Sequence, residues 1–382
     1  MTCRQPQSQV LARRLPRILC LLLVSACSHI QPYPALDTPD VAADPQVQAR
    51  LILVGDAGRP VPGVLAAVRA WSDKAPESTT VVYLGDNIYE DGLPPGPAVA
   101  EKAVLDQLIA AVGPARGIFV PGNHDWRAGR SGIERQADYV QRSGASIRLL
   151  PAAGCPGPAT DDALDGVRLL VLDTDWLLQP AADASGCDLG ADASSTISRR
   201  LGSAVAQAGD DVLVVVAHHP PRTYGPHGGF FDWRDHLFPL TRIAPWAWLP
   251  LPLVGSLYPL GRARLAHDQD AYSKHYRAMQ ADLATAFSGY RGARPLIFAG
   301  GHDHSLQVLA RRQPSDVWDY VLVSGAASVD KLTAVTHGPD TMFAHLAHGF
   351  MTLDVYSDGR VLLRVIESEP VGVAFTRWLT AR

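Results

Sequence analysis

Between residues 51 and 304 a short apolar run gives way five times to a polar cluster, and this repetition limits what the chain can become. The clusters are Gly55-Asp56-Ala57-Gly58, Gly85-Asp86-Asn87-Ile88-Tyr89, Gly122-Asn123-His124-Asp125, Val215-Val216-Ala217-His218 and Gly300-Gly301-His302-Asp303-His304. The runs before them are Leu51–Val54, Thr79–Leu84, Gly117–Val120, Val212–Val216 and Pro295–Ala299. They are continuous rather than alternating, which predicts strands buried on both faces. Helical spacing over Val61–Trp71, with Pro62 in the first turn, and over Val99–Val112 separates the first three. Strand and helix alternating in this way imply parallel pairing with right-handed crossovers. Open α/β sheets gather polar residues at the carboxyl ends of their strands, and the glycines let the backbone turn there. Two histidines two apart, His302 and His304, are wasteful in a core, but past a strand end both face one cleft. A cluster of Asp, Asn, Tyr and His suits a pair of divalent or trivalent cations, not a thiolate zinc site.

In this order the five blocks resemble the metallophosphoesterase superfamily and, within it, the purple acid phosphatases, whose pattern is GDxG, GDxxY, GNHD or GNHE, VxxH and GHxH. The resemblance covers residues 50 to 310. It implies an α/β fold: a two-sheet β-sandwich flanked by helices in four layers, α/β/β/α. It also implies two metal ions. Asp56, Asp86, Tyr89 and His304 would hold the first, and Asp86, as a bridge, with Asn123, His218 and His302 the second. The minimal superfamily has a histidine where this chain has Gly58, and Tyr89 takes that ligand's place. A phenolate there favours trivalent iron, paired with Fe, Zn or Mn; Mn/Mn or Zn/Zn is the alternative. His124, beside Asn123, and His227, nine residues after His218, are implied to face substrate, with Asp125 hydrogen-bonded to His124. His219 and Asp303 are expected to point elsewhere, and Asp173-Thr174-Asp175 to be structural.

The activity implied is phosphoester hydrolysis, first of all of monoesters, by a hydroxide activated between two cations. A phosphodiesterase on nucleotides or lipid head groups is the alternative. A non-catalytic surface lipoprotein is a third reading, disfavoured by the intact ligand set and by His124 and His227. No serine or cysteine nucleophile motif stands out.

Residues 1–27 are expected to be a lipoprotein signal peptide. Arg4, Arg13, Arg14 and Arg17 precede an apolar core at Ile18–Ala26 that is too short to span a bilayer. Val24-Ser25-Ala26-Cys27 looks like a bacterial lipobox, predicting acylation of Cys27; a plain secretory signal is the alternative. Ser28 follows, with no Asp for inner-membrane retention, so the cell envelope, and its outer membrane, is the expected location. Without the leader the chain carries 30 basic against 38 acidic residues, net −8, which argues against nucleic acid as a partner. Cys155 and Cys187 are then the remaining cysteines of an exported chain, predicting a disulfide, with two free thiols as the alternative.

Residues 28–48 read as a tether and 49–382 as one metallophosphoesterase domain with an apolar insertion at 222–272. Within it Ile243–Leu260 runs eighteen residues without a charge. Prolines at 245, 250, 252 and 259 exclude a regular spanning helix. The run is expected to pack on its own domain as part of the cleft wall; the sharper reading is a membrane-docking loop around Trp246 and Trp248. Helices are expected over Asp192–Ala208 and Ala271–Phe287, and strands over Val167–Leu172, Tyr320–Ser324, Gly349–Tyr356 and Arg360–Ile366.

Overall fold

The computed structural model describes residues 47–144, 146–179, 183–190, 192–242, 244, 246–264 and 268–381. Cys27, the leader and most of the proposed tether lie outside them. The strands are β1 (Val47–Val54), β2 (Thr79–Tyr83), β3 (Arg116–Phe119), β4 (Ile147–Leu149), β5 (Ala159–Leu164), β6 (Val167–Val171), β7 (Val212–Val216), β8 (Leu296–Gly300), β9 (Leu306–Ala310), β10 (Tyr320–Ser324), β11 (Thr341–His345), β12 (Gly349–Tyr356), β13 (Val361–Ser368) and β14 (Val371–Leu379). The helices are α1 (Pro62–Ser72), α2 (Val99–Val112), α3 (Gly129–Arg142), α4 (Thr174–Leu178), α5 (Ala193–Ala206), α6 (Trp233–Leu237), α7 (Leu257–Arg264) and α8 (Lys274–Phe287).

Two seven-stranded sheets face each other, ordered β14-β13-β12-β1-β2-β3-β4 and β11-β9-β10-β8-β7-β6-β5. Successive side chains of β1 divide between two cores, as the period of two requires. Leu51 and Leu53 enter the layer between the sheets with Val82, Val214 and Ile297, while Ile52 and Val54 pack outward against Val64 and Val68 of α1. On the far face, α5 and α8 cover the second sheet through Ile197, Leu201, Met279 and Leu283. The result is the expected four layers.

The predicted parallel pairing holds for β1–β2–β3–β4 and for β6–β7–β8–β10. Antiparallel strands complete both sheets: β12, β13 and β14 in one, β5, β9 and β11 in the other. Strands β4, β5, β11 and β14 escape sequence reading because they are sheet edges, where burial no longer imposes a continuous apolar run, and β9 because the buried Gln307, bonded to Thr223 and Ser305, interrupts its run. The strand β1 begins at Val47, so the last two residues of the proposed tether are already in the sheet.

Between Tyr83↔Phe119 in one sheet and Val216↔Ala299 in the other, the strand ends are level. The amide of Gly55 donates to the carbonyl of Ser324 at 2.7 Å, and that of His302 to Asp56 Oδ2 at 2.8 Å, joining the two sheets at this end. Cys155 and Cys187 form a disulfide with Cα atoms 5.4 Å apart. Among the described residues no helix is long and apolar enough to cross a membrane.

Candidate metal centre

Loops leaving the carboxyl ends of β1, β2, β3, β7 and β8 carry the five blocks to one place. Asp56, Asp86 and His302 sit there at φ 58°, 53° and 71°, in the left-handed region that costs an L-residue energy. Backbone held there by its surroundings is characteristic of functional sites. Glycine makes the crowding possible: a Cβ on Gly85 would lie 2.6 Å from Nδ1 of His218, and one on Gly122 would overlap the Asp86 carboxylate.

The donor atoms converge. Tyr89 Oη donates to Asp56 Oδ1 at 3.2 Å, and His304 Nε2 is 3.8 Å from the same oxygen. His218 Nε2 lies 3.5 Å from Asp86 Oδ1, 3.0 Å from Asn123 Oδ1 and 3.3 Å from His302 Nδ1. The other nitrogens are anchored by backbone: His218 Nδ1 donates to Leu84 O at 2.9 Å and His302 Nε2 to Gln269 O at 2.8 Å. Carbonyl anchors of this kind fix the tautomer of a ligating imidazole and leave its other nitrogen as a lone-pair donor.

Asp56 and Asp86 are both buried, and their ion-pair partners among the described residues are histidines. Burial, then the Asp86 charge, pushes the Asp56 carboxyl well above the usual range. Burial also works to raise Asp86, but His218 and His124 outweigh it and hold it low. Two adjacent buried carboxylates, faced by imidazoles and with no lysine or arginine ion pair among the described residues, form a donor set that fits metal ions. Among the described residues, two groups have donor atoms all within 4.8 Å of one another: Asp56, Asp86 and His218, and His218, His219 and His302.

His219 is thus nearer than expected, its ring 4.4 Å from that of His302. Both of its nitrogens are engaged, by Thr174 Oγ1 at 2.9 Å and by the Gln269 side chain, so it braces the cluster. Asp125 departs from expectation too. It does not bond His124; its Oδ2 accepts from the amides of Gly122 at 2.8 Å and Asn87 at 3.2 Å, tying two ligand loops together. A carboxylate three residues past Gly122 caps its own turn more readily than it reaches the neighbouring ring. His124 Nδ1 instead meets the carbonyl of Glu90 at 2.7 Å. Asp303 accepts from Thr223 Oγ1 at 2.6 Å and from the amide of His227 at 3.2 Å, holding the loop that carries His227. Asp173 caps α4 and accepts from Trp126, and Asp175 accepts from Gln179 and Gln269, both structural.

The cluster forms the floor of an open cleft of about 640 Å³. His124 and His227 line it, joined by Arg127 and Arg262. Arg262, Asp270 and Gln269 were not singled out in the sequence, although all three lie in or beside the 222–272 insertion. One mark was available: Arg262 is the first charged residue after the uncharged run. The run itself divides. Leu257 and Tyr258 line the cleft as expected, while Trp246 and Leu253, 83% and 87% exposed, face solvent rather than their own domain.

A family model described as calcineurin-like phosphoesterase matches residues 49–244. Comparison with curated protein sequences returns no match. Among solved structures, GAP50, the anchor in the inner membrane complex of Plasmodium, is similar at 14% identity and a TM-score of 0.52, covering 88% of this chain and 90% of that one. Purple acid phosphatase PPD1 from yellow lupin seeds is similar at 14% identity and a TM-score of 0.53, covering 87% of this chain. The match spans 54%, about half, of the lupin chain. Likeness at these identities is one of fold.

Proposed function

Since this chain belongs to the calcineurin-like phosphoesterase family, we propose that it is a dinuclear-metal phosphomonoesterase working in the cleft above Asp56, Asp86 and His302. The observation that carries the reading is the meeting of seven donor residues from five loops beneath a wall bearing His124, His227, Arg127 and Arg262. Asp56, Asp86, Tyr89 and His304 would hold one ion, and Asp86, Asn123, His218 and His302 the other. The metals, when bound, supply Lewis acidity toward phosphoryl oxygens and an activated water for attack at phosphorus.

The chain's own residues do the rest. His218 and His302, each with one nitrogen bonded to a backbone carbonyl, turn the other toward the site as an uncharged ligand would. Arg262 is paired with Asp270, whereas Arg127, whose carboxylate partners are 3.7 Å away, is the guanidinium open to a phosphate dianion, which favours a monoester over a singly charged diester. His124, with Nδ1 committed to Glu90, presents its other nitrogen to the cleft. His227, with Nδ1 held by Asp270 at 3.0 Å, is placed to give a proton to the departing alcohol.

The test compares p-nitrophenyl phosphate with its bis-ester, using metal-loaded protein and the Asn123→Ala and His302→Ala variants. Preference for the monoester, with turnover falling at least about 10²-fold in either variant, supports the reading. Preference for the bis-ester moves the chain to the diesterases, and unchanged turnover by the variants overturns the site.

A further inference from the structure

One segment belongs both to the cleft and to the outer surface. Leu257, Tyr258, Gly261 and Arg262 line the cleft. A few residues earlier, Trp246, Trp248, Leu249, Leu253 and Val254 turn their side chains to solvent. This is a built lobe rather than a stray loop. The Trp248 ring packs 5.4 Å from Phe238, itself 6.2 Å from Trp233, and His236 Nδ1 bonds Ser256 Oγ at 3.1 Å. Exposed apolar area costs about 25 cal/mol per Å², and five large apolar side chains left exposed between residues 246 and 254 mark a docking surface.

The chemistry selects the occupant. The lobe carries no charge from residue 243 to 260 and pairs tryptophans with leucines, the composition of a surface that enters the interface of a bilayer. A bilayer seated here would take the exposed tryptophans and leucines into its interface and bring its phosphoesters beside the cleft that Leu257 and Tyr258 line. Reach permits it: β1 starts at the end of the sheet away from the site, about 26 Å off for eight strand residues. The nineteen residues from 28 to 46 can extend about 63 Å from the expected lipid anchor at Cys27.

We propose that the lobe at 246–260 docks this protein on a lipid bilayer and that the cleft takes a phosphate monoester carried on an acyl-chain lipid. The substrate half rests on the phosphomonoesterase reading above; the docking half does not.

The experiment uses metal-loaded chain from residue 28 onward, which contains the whole described fold but no acyl chains, and its Trp246→Ser/Leu253→Ser variant. Neither residue lines the cleft. Three quantities are read: co-sedimentation with phosphatidylcholine vesicles, turnover of p-nitrophenyl phosphate, and turnover of phosphatidate in those vesicles relative to glycerol 3-phosphate. The expected result is vesicle binding that falls at least about tenfold in the variant. Phosphatidate turnover falls with it, while p-nitrophenyl phosphate turnover is unchanged, and wild type prefers phosphatidate to glycerol 3-phosphate. No vesicle binding by wild type, or equal binding by the variant, overturns docking, as does a wild-type dimer that the variant dissolves. Vesicle binding without preference for phosphatidate overturns the lipid substrate alone. Vesicle binding without turnover of any phosphomonoester marks failure of the hydrolase reading and leaves docking established.

Discussion

His227 Nδ1 lies 3.0 Å from Asp270 Oδ1, and Arg262 grips the same carboxylate through Nε at 3.0 Å and Nη2 at 2.8 Å. Asp270 is buried; burial works to raise its carboxyl, but His227 and Arg262 outweigh that and keep it ionised. With Nδ1 so engaged, Nε2 is the nitrogen left to hold or give a proton.

Asp270→Asn therefore lowers turnover most where the leaving group needs that proton. An alkyl phosphate should lose about 10- to 100-fold in kcat, and p-nitrophenyl phosphate less than about threefold, with KM little changed. Steady-state kinetics on the two substrates check this; equal losses on both would make Asp270 a structural residue.

Tyr89 reaches Asp56 at 3.2 Å, and burial followed by the Asp56 and Asp86 charges pushes its phenol well above the ordinary value. Only a strongly polarising cation would ionise it there. Iron-loaded protein should show a broad visible absorption that Tyr89→Phe abolishes while metal content stays the same. A band that survives the substitution, or iron-loaded protein that shows no such band, removes Tyr89 from the ligands.

Gly122 has no room for a side chain, because a Cβ would overlap the Asp86 carboxylate and the Asp86 amide. Gly122→Ala should weaken metal binding by about 10- to 100-fold through displacement of Asp86. It should also cost about 1–3 kcal/mol of stability from overpacking. Metal titration and thermal melts with and without chelator separate the two effects: the metal-dependent rise in Tm shrinks as the apo Tm falls.

Asp161 on β5 takes Arg116 of β3 at 2.8 Å and also Arg148 of β4, so one carboxylate ties the edges of the two sheets. Burial works to raise its carboxyl, and the arginines outweigh it and hold it below the usual range. A carboxyl lowered on folding stabilises the native state above its unfolded pKa. That contribution is lost as pH falls from the ordinary carboxylate range through the lower folded value. Asp161→Asn should cost about 1–3 kcal/mol at neutral pH and flatten the acid limb of stability, measured by urea unfolding at pH 7 and pH 3. The arginines are partly exposed, so solvent screening places the effect toward the lower end.

Strand runs such as Leu51–Val54 and Val212–Val216 were legible because burial on both faces demands uninterrupted apolar residues. The candidate metal donors were legible because each lies a fixed few residues past such a run. Asp270 and Arg262 were not. They sit eight residues apart on an irregular insertion whose path no periodicity encodes, and their meeting with His227 depends on how α7 folds back. Asp125 was misplaced for a related reason: adjacency in sequence pointed to His124, while the turn at Gly122 offered its carboxylate nearer amides.

By itself the sequence determined the buried strands and their parallel pairing, the donor types and the chemistry they permit, since these follow from local pattern and ligand hardness. Only the tertiary structure decided which side of Ile243–Leu260 faces the cleft and which faces solvent, and which charges support His227. Those outcomes turn on contacts between residues distant along the chain, where packing of the whole domain, not local preference, selects the conformation.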